Sequence, residues 1–281
     1  MHKSNFISYI FATNKEGSGK AASYVKALDW LVEMIKCNDN GFVDCRMVWS
    51  VSSADRIHDL YLRVLDEARL GDASSWNIDG IPKSYLQSGY CSAALKVYES
   101  YLREHSVQQS LYDRFVTFGG EATDLAGELA DKIEQLDYEQ ITLGGQQGED
   151  AVRSVKTRLN QTVFRRMILD IYDHRCCITL LDIPEVNRAS HIIPWAVDKA
   201  TRLDPQNGLC LSATYDAAFD RNLISLDDDY RVIVSNNIRD HYSSDSVKHY
   251  FLALHGQQIS LPKKFYPDKK YLSSHRSKGE F

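Results

Sequence analysis

No stretch of the 281-residue chain stays apolar over the length a bilayer demands, so no membrane-spanning helix is expected. The opening residues, Met1-His2-Lys3-Ser4-Asn5, are polar and lead into no long apolar run, which argues against a secretory signal. The six cysteines (Cys37, Cys45, Cys91, Cys176, Cys177 and Cys210) include no Cys-x-x-Cys pair, and adjacent cysteines such as Cys176 and Cys177 rarely bridge each other. That pattern excludes a four-cysteine zinc site and fits reduced thiols in a cytoplasmic protein. Internal repeats and low-complexity tracts are absent. Gly17-Ser18-Gly19-Lys20 lacks the Gly-x4-Gly-Lys-Ser/Thr spacing of a phosphate-binding loop, which removes the commonest nucleotide-binding signature.

What remains is an ordinary globular composition, 43% hydrophobic and 25% charged, in a chain long enough for two domains. The net charge of −5 argues mildly against a nucleic-acid partner until it is divided along the chain. Residues 1–150 hold 14 Lys and Arg against 23 Asp and Glu, or −9; residues 151–281 hold the other 19 against 15, or +4. The second part therefore has the sign that phosphate binding needs.

The first part reads as mostly helical. Tyr24, Leu28, Leu31, Val32 and Ile35 recur at helical spacing, and Cys37-Asn38-Asp39-Asn40-Gly41 supplies a stop. Ile57, Leu60, Tyr61, Val64, Leu65 and Ala68 form a second stripe, Tyr90 to Leu102 a third and the more acidic Ala122 to Leu136 a fourth. Between the first two, Arg46 to Val51 has strand composition. Thr142 to Gly148 is polar, glycine-rich and aperiodic, so it is expected to link the domains. The expected division is a helical domain over 1–140, a linker over 141–150 and a second domain over 151–281. That second domain opens with an amphipathic helix over Val155 to Tyr172. Short elements follow: Cys176 to Leu180, Ser190 to Ile193, Leu209 to Leu211, a helical Tyr215 to Phe219, and Leu223 to Leu226 turning through Asp227-Asp228-Asp229-Tyr230 into Val232-Ile233-Val234.

Chemistry concentrates in three spaced pieces: Ala189-Ser190-His191-Ile192-Ile193-Pro194-Trp195, Asp204-Pro205-Gln206-Asn207-Gly208-Leu209 and Tyr215-Asp216-Ala217-Ala218-Phe219-Asp220. On a helix Asp216 and Asp220 project from one face a turn apart, where they repel unless a cation lies between them. Phosphodiester hydrolysis needs a base for water, a divalent ion for the phosphate and leaving oxygen, and a group that orients the base. His191 can be the base, Asn207 can hold the imidazole or pin the loop, and Asp216 can ligate a hard ion. Without the flanking pattern His191 would read as a buried structural histidine, and Asn207-Gly208 as a turn.

The three pieces in this order resemble the HNH, or ββα-metal, nuclease superfamily, and in particular its restriction and defence branch. The pattern is carried by Cys176 or Cys177 with Thr179, Ser190-His191-Ile192 with Pro194-Trp195, Asn207-Gly208-Leu209, and Asp216 with Phe219-Asp220-Arg221. Tyr271-Leu272, His275-Arg276 and Phe281 are similar to the branch's tail, so the resemblance covers roughly residues 155–281. It implies an α+β chain in which a mostly helical N-terminal domain precedes a C-terminal ββα-metal nuclease domain. It further implies a DNA endonuclease with His191 as general base and Asn207 as the orienting residue. Asp216, Ser190 and Asp220 become candidate metal positions, although many relatives have His or Asp where Ser190 stands. Asp220 can alternatively brace the site through an arginine. The implied ion is Mg2+, with Mn2+, Ni2+ or Zn2+ as alternatives.

The implied substrate is double-stranded DNA, with Arg188, Arg202 and Arg221 as candidate backbone contacts and Arg165, Arg166 and Arg175 nearby in sequence. Trp195, Cys176 and Cys177 are expected to be packing residues, and His174 and His275 to be solvent-exposed. A role in restriction-modification or antiviral defence follows from the branch. By analogy, a homodimer through or beside the N-terminal domain would supply two sites for two strands. The alternative is an HNH-fold protein with weakened catalysis that binds DNA, or a nuclease subunit that acts only within a complex; the serine at 190 favours it. The acidic N-terminal domain is expected to select the target, through a partner or dimer contact rather than through phosphate.

Overall fold

The computed structural model describes residues 2–14, 17, 19–136 and 149–281. The expected linker, Thr142 to Gly148, lies outside the described residues. Two compact units are distinguished. One holds the described residues up to Val107 with the start of the helix that begins at Glu149; the other holds Gln108–Gln135 and Lys156–Phe281. No helix among the described residues is long and apolar enough to cross a membrane.

The first unit is built from α1 (His2–Thr13), α2 (Lys20–Cys37), α3 (Ala54–Arg69), the short α4 (Ser84–Gln87) and the first part of α5 (Tyr90–Thr117). Leu28, Leu31 and Ile35 of α2, and Ile57, Leu60 and Val64 of α3, are fully buried at helical spacing and meet Phe6, Ile10, Trp76 and Tyr98 in one core. α2 stops where expected, with Asn40 and Gly41 at φ of 47° and 88°. α3 starts at Ser53, whose hydroxyl accepts from the Arg56 amide.

The run Arg46 to Val51 does not form the expected strand. Val43–Ser50 is a 3-10 helix with a kink at Met47, and it buries Cys45 and Val48 three residues apart. A strand needs a hydrogen-bonded neighbour, and the described residues of this unit offer none. The Tyr98 hydroxyl donates to the Val48 carbonyl instead, at 3.3 Å.

The second unit contains the end of α5, α6 (Ala122–Glu134) and most of α7 (Glu149–Ile171). Next come the strands β1 (Asn187–His191) and β2 (Gly208–Ser212), an antiparallel pair in which His191 faces Gly208 and Ser190 faces Leu209. α8 (Ala213–Asp220) leaves β2 without a gap, which fixes its carboxylates relative to the sheet. β3 (Ile224–Leu226) and β4 (Val232–Val234) form the expected hairpin, whose turn is held by Asp227 Oδ1 accepting from the Asp229 and Arg231 amides. The short element Cys176 to Leu180 is a run of turns, with Leu180 at φ 60°. α9 (Asp245–Tyr250) and the C-terminal α10 (Lys269–Arg276) complete the unit.

Candidate active site

β1, α7 and α8 converge on a cavity of about 520 Å3. His191, Ser190 and Arg188 reach it from β1, Phe164 and Arg165 from α7, and Asp216 and Asp220 from α8. Five of the eight residues singled out in the sequence are thus brought together. Asn207, Arg202 and Arg221 do not line the cavity.

His191 is held on two sides. Its ring stacks on Phe164, centroids 3.7 Å apart and planes within 12°, and meets the edge of Trp195 at 5.6 Å. Its Nε2 lies 3.1 Å from the Arg202 carbonyl oxygen. A carbonyl only accepts, so Nε2 carries the proton and Nδ1 keeps its lone pair. Burial lowers the imidazole pKa below its ordinary value, outweighing the opposite pull of the Arg202 carbonyl. The ring is therefore neutral at physiological pH, the state a general base requires.

Asn207 acts one step away. It is fully buried, its Oδ1 accepts from the Ile193 amide at 2.7 Å, and its Nδ2 donates to the carbonyls of Ile193 at 3.2 Å and Thr201 at 3.0 Å. It makes no hydrogen bond to the imidazole; it closes the loop 193–201 that delivers the Arg202 carbonyl to His191. Gly208 serves space rather than turn geometry, since its φ is −130°. A Cβ there would come within 2.6 Å of Ile168 Cγ1 and 2.9 Å of Phe164 Cζ. The glycine lets α7 approach β2 closely enough to place Phe164 under His191.

Asp216 and Asp220 share one face of α8, and neither makes an ion pair among the described residues. Asp220 has a raised pKa, first from burial and then from the Asp216 charge, against a smaller pull from Arg221. These two carboxylates line one cavity with Ser190, whose buried hydroxyl has no hydrogen-bond partner among the described residues, and all three offer hard oxygen donors. No three His, Cys, Asp or Glu side chains converge as a ready-made metal cluster among the described residues. Oxygen donors of this kind could hold a hard divalent cation that keeps several of its waters.

Arg188 is exposed, while Arg165 donates to the carbonyls of Asn187 at 2.8 Å and Pro184 at 2.9 Å. Burial, then the neighbouring Arg188 charge, lowers the Arg165 pKa. Two guanidinium groups that repel across one cavity are poised for an anion. Arg202 instead lies over Trp195 at 4.5 Å and donates to its carbonyl, and Arg221 folds back onto the Ala217 carbonyl at the end of α8. Cys176 and Cys177 are buried in the core, and His174 is exposed, as expected.

His275 departs from expectation: it is buried, with both ring nitrogens engaged, because α10 packs against α8 and β3. Sequence reasoning also missed Phe164 as a partner of His191, since a phenylalanine on an amphipathic helix carries no signal beyond burial.

A search of curated proteins returns no match to the chain. Residues 176–227, which contain His191, Asn207, Asp216 and Asp220, match the family model described as HNH endonuclease.

Proposed function

We propose that the chain is a metal-dependent DNA endonuclease in which His191 activates the attacking water. The observation that carries this reading is the imidazole itself. Its Nε2–H is committed to the Arg202 carbonyl, its Nδ1 has no hydrogen-bond partner among the described residues, and it lines the same cavity as two arginines and two carboxylates that make no ion pair among those residues. Nδ1 takes a proton from water, and the Arg202 carbonyl, which accepts from Nε2, stabilises the resulting imidazolium. Arg165 and Arg188 hold the phosphate by charge, with Arg165 fixed in place through its two carbonyl contacts. Asp216 and Asp220 would hold the ion, with Ser190 beside them. When bound, Mg2+ polarises the phosphate and stabilises the leaving oxygen.

Restriction or antiviral defence is the role proposed for this activity, with the N-terminal helical domain selecting the target through a partner or a second copy. The carboxyl-free position at Ser190 favours a second reading, in which the domain binds DNA but cuts only within a complex. Plasmid cleavage with Mg2+ or Mn2+ separates them. His191→Ala is expected to lower cleavage about 10²- to 10⁴-fold while DNA binding persists. A wild-type chain that binds duplex DNA but cuts with neither ion would leave the second reading standing.

A further inference from the structure

The C-terminal helix α10 touches both halves of the site from outside the cavity. Tyr271 and His275 stand four residues apart and so occupy one face of α10. The Tyr271 hydroxyl donates to Oδ2 of the buried Asp204 at 2.9 Å. The other carboxylate oxygen of Asp204 accepts from the Gln206 amide, and its carbonyl accepts from the Asn207 amide at 3.0 Å. The Asp268 amide, at the start of α10, donates to the Gln206 carbonyl at 3.1 Å. The turn that presents Asn207 is therefore fastened to α10, and Asn207 in turn fixes the loop that orients His191.

One helical turn further on, His275 Nε2 donates to the Phe219 carbonyl at 3.0 Å, and its ring stacks on Phe219 with centroids 3.8 Å apart and planes within 10°. Its Nδ1 accepts from the Ser225 hydroxyl at 2.9 Å. Phe219 directly precedes Asp220 in the last turn of α8, so this contact sets the end of the helix that carries both carboxylates. Arg276 secures α10 itself, donating to the Leu226 carbonyl at 2.7 Å and to Asp228 at 2.6 Å.

We propose that Tyr271 and His275 are positioning residues for this site, forming a two-point clasp in which Tyr271 sets the Asn207 turn and His275 sets the carboxylate helix. The proposal rests on the nuclease reading above. It makes a demand that general packing does not: the two contacts must govern different steps. Loss of the Tyr271 hydroxyl should act on the base, and loss of the His275 contact should act on the ion.

The test uses the full-length chain and four proteins: wild type, Tyr271→Phe, His275→Phe and His275→Gln. Mn2+ affinity is measured by calorimetry without DNA, cleavage rate against pH at saturating Mn2+, and folding by thermal unfolding. Tyr271→Phe, which removes one oxygen, should lower the cleavage rate on the order of ten-fold and shift its acid limb, with Mn2+ affinity unchanged. His275→Phe keeps a ring on Phe219 but removes the donor, and should weaken Mn2+ binding about ten-fold. His275→Gln keeps an amide donor for the Phe219 carbonyl and should recover part of that loss. Folded variants whose Mn2+ affinity and pH profile both equal wild type would overturn the clasp, as would variants that lower thermal stability and nothing else. A wild-type chain that neither binds Mn2+ nor cuts would overturn the nuclease reading, and the clasp with it.

Discussion

Replacing Asn207 by aspartate keeps the shape of the side chain and reverses half of its hydrogen bonding. The oxygen that accepts from the Ile193 amide survives, but the amide that donates to the Ile193 and Thr201 carbonyls becomes a second acceptor. A carboxylate there would sit buried against two carbonyl oxygens, so the introduced group should hold its proton to a higher pH than a free carboxyl and, while protonated, donate to one of them. The other carbonyl loses its partner, at a cost of about 1–3 kcal/mol. Holding the proton adds a cost that depends on pH. The unfolded carboxyl titrates near 3.9, and a folded value raised to about 6 would add roughly 3 kcal/mol at neutral pH. A raised folded pKa means stability is lost as pH rises from the unfolded value through the folded one. The difference between variant and wild type should therefore grow from about 1–3 kcal/mol near pH 4 to roughly 4–6 kcal/mol at pH 7.

Urea unfolding of both proteins at pH 4.5 and 7.5 measures that difference, and subtraction removes every titration they share. Hydrogen exchange at the Ile193 amide reports whether the loop itself has loosened. Equal midpoints at both pH values, unchanged Ile193 protection and abolished cleavage would refute the reasoning. In that case Asn207 would act in the chemistry rather than on the loop.

Four further outcomes follow from the same geometry. The cleavage rate should fall on the acid side with a midpoint below 6.5, because burial lowers the His191 pKa and the base works only when neutral; a pH–rate profile with a midpoint above 6.5 would contradict this. Gly208→Ala should cost about 1–3 kcal/mol through crowding of Ile168 and Phe164, and should slow cleavage by displacing the ring under His191; urea melts and rates measure both. Asp216→Asn should raise the Mg2+ concentration needed for half-maximal cutting at least ten-fold while stabilising the empty fold slightly, since it relieves repulsion with Asp220; metal titration and melting without metal check the pair. His275 has a folded pKa lowered to about 4 from 6.5, so its contribution is full above pH 6.5 and is lost as pH falls towards 4; wild type should lose about 2 kcal/mol between pH 8 and 5 that His275→Gln does not.

The parts of the site that were legible in the sequence are those set by local geometry. The i, i+4 spacing of Asp216 and Asp220 fixes their common face as soon as α8 forms, and His191 and Ser190 belong to one short strand whose pairing runs directly into that helix. What was not legible depends on contacts distant in the chain or on atoms every residue has. The Arg202 carbonyl that sets the His191 tautomer is a backbone group, so the side chain at 202 carries no sign of it. Arg202 itself looked like a phosphate contact and is spent on Trp195. Phe164 meets His191 across 27 positions of sequence, and only the packing of α7 on the strands reveals it. The run Arg46 to Val51 misled for a related reason: strand composition describes a half-buried surface, and without a partner strand the same residues bury better three apart.

Two histidines show how far residue type alone falls short of function. His191 and His275 each stack on a phenylalanine, and each donates from Nε2 to a backbone carbonyl. Both are therefore oriented, both are fixed in the same tautomer, and burial lowers the pKa of both. They differ at the second nitrogen. In His275 the Ser225 hydroxyl occupies Nδ1, so the ring has no valence left for a substrate and can only brace the fold. In His191 Nδ1 has no partner among the described residues, and the ring borders the cavity. The Ser225 hydroxyl on the one ring and the cavity beside the other thus separate the bracing histidine from the one open to a water proton, and a hydroxyl brought within reach of Nδ1 should compete with that water at His191 without moving the ring.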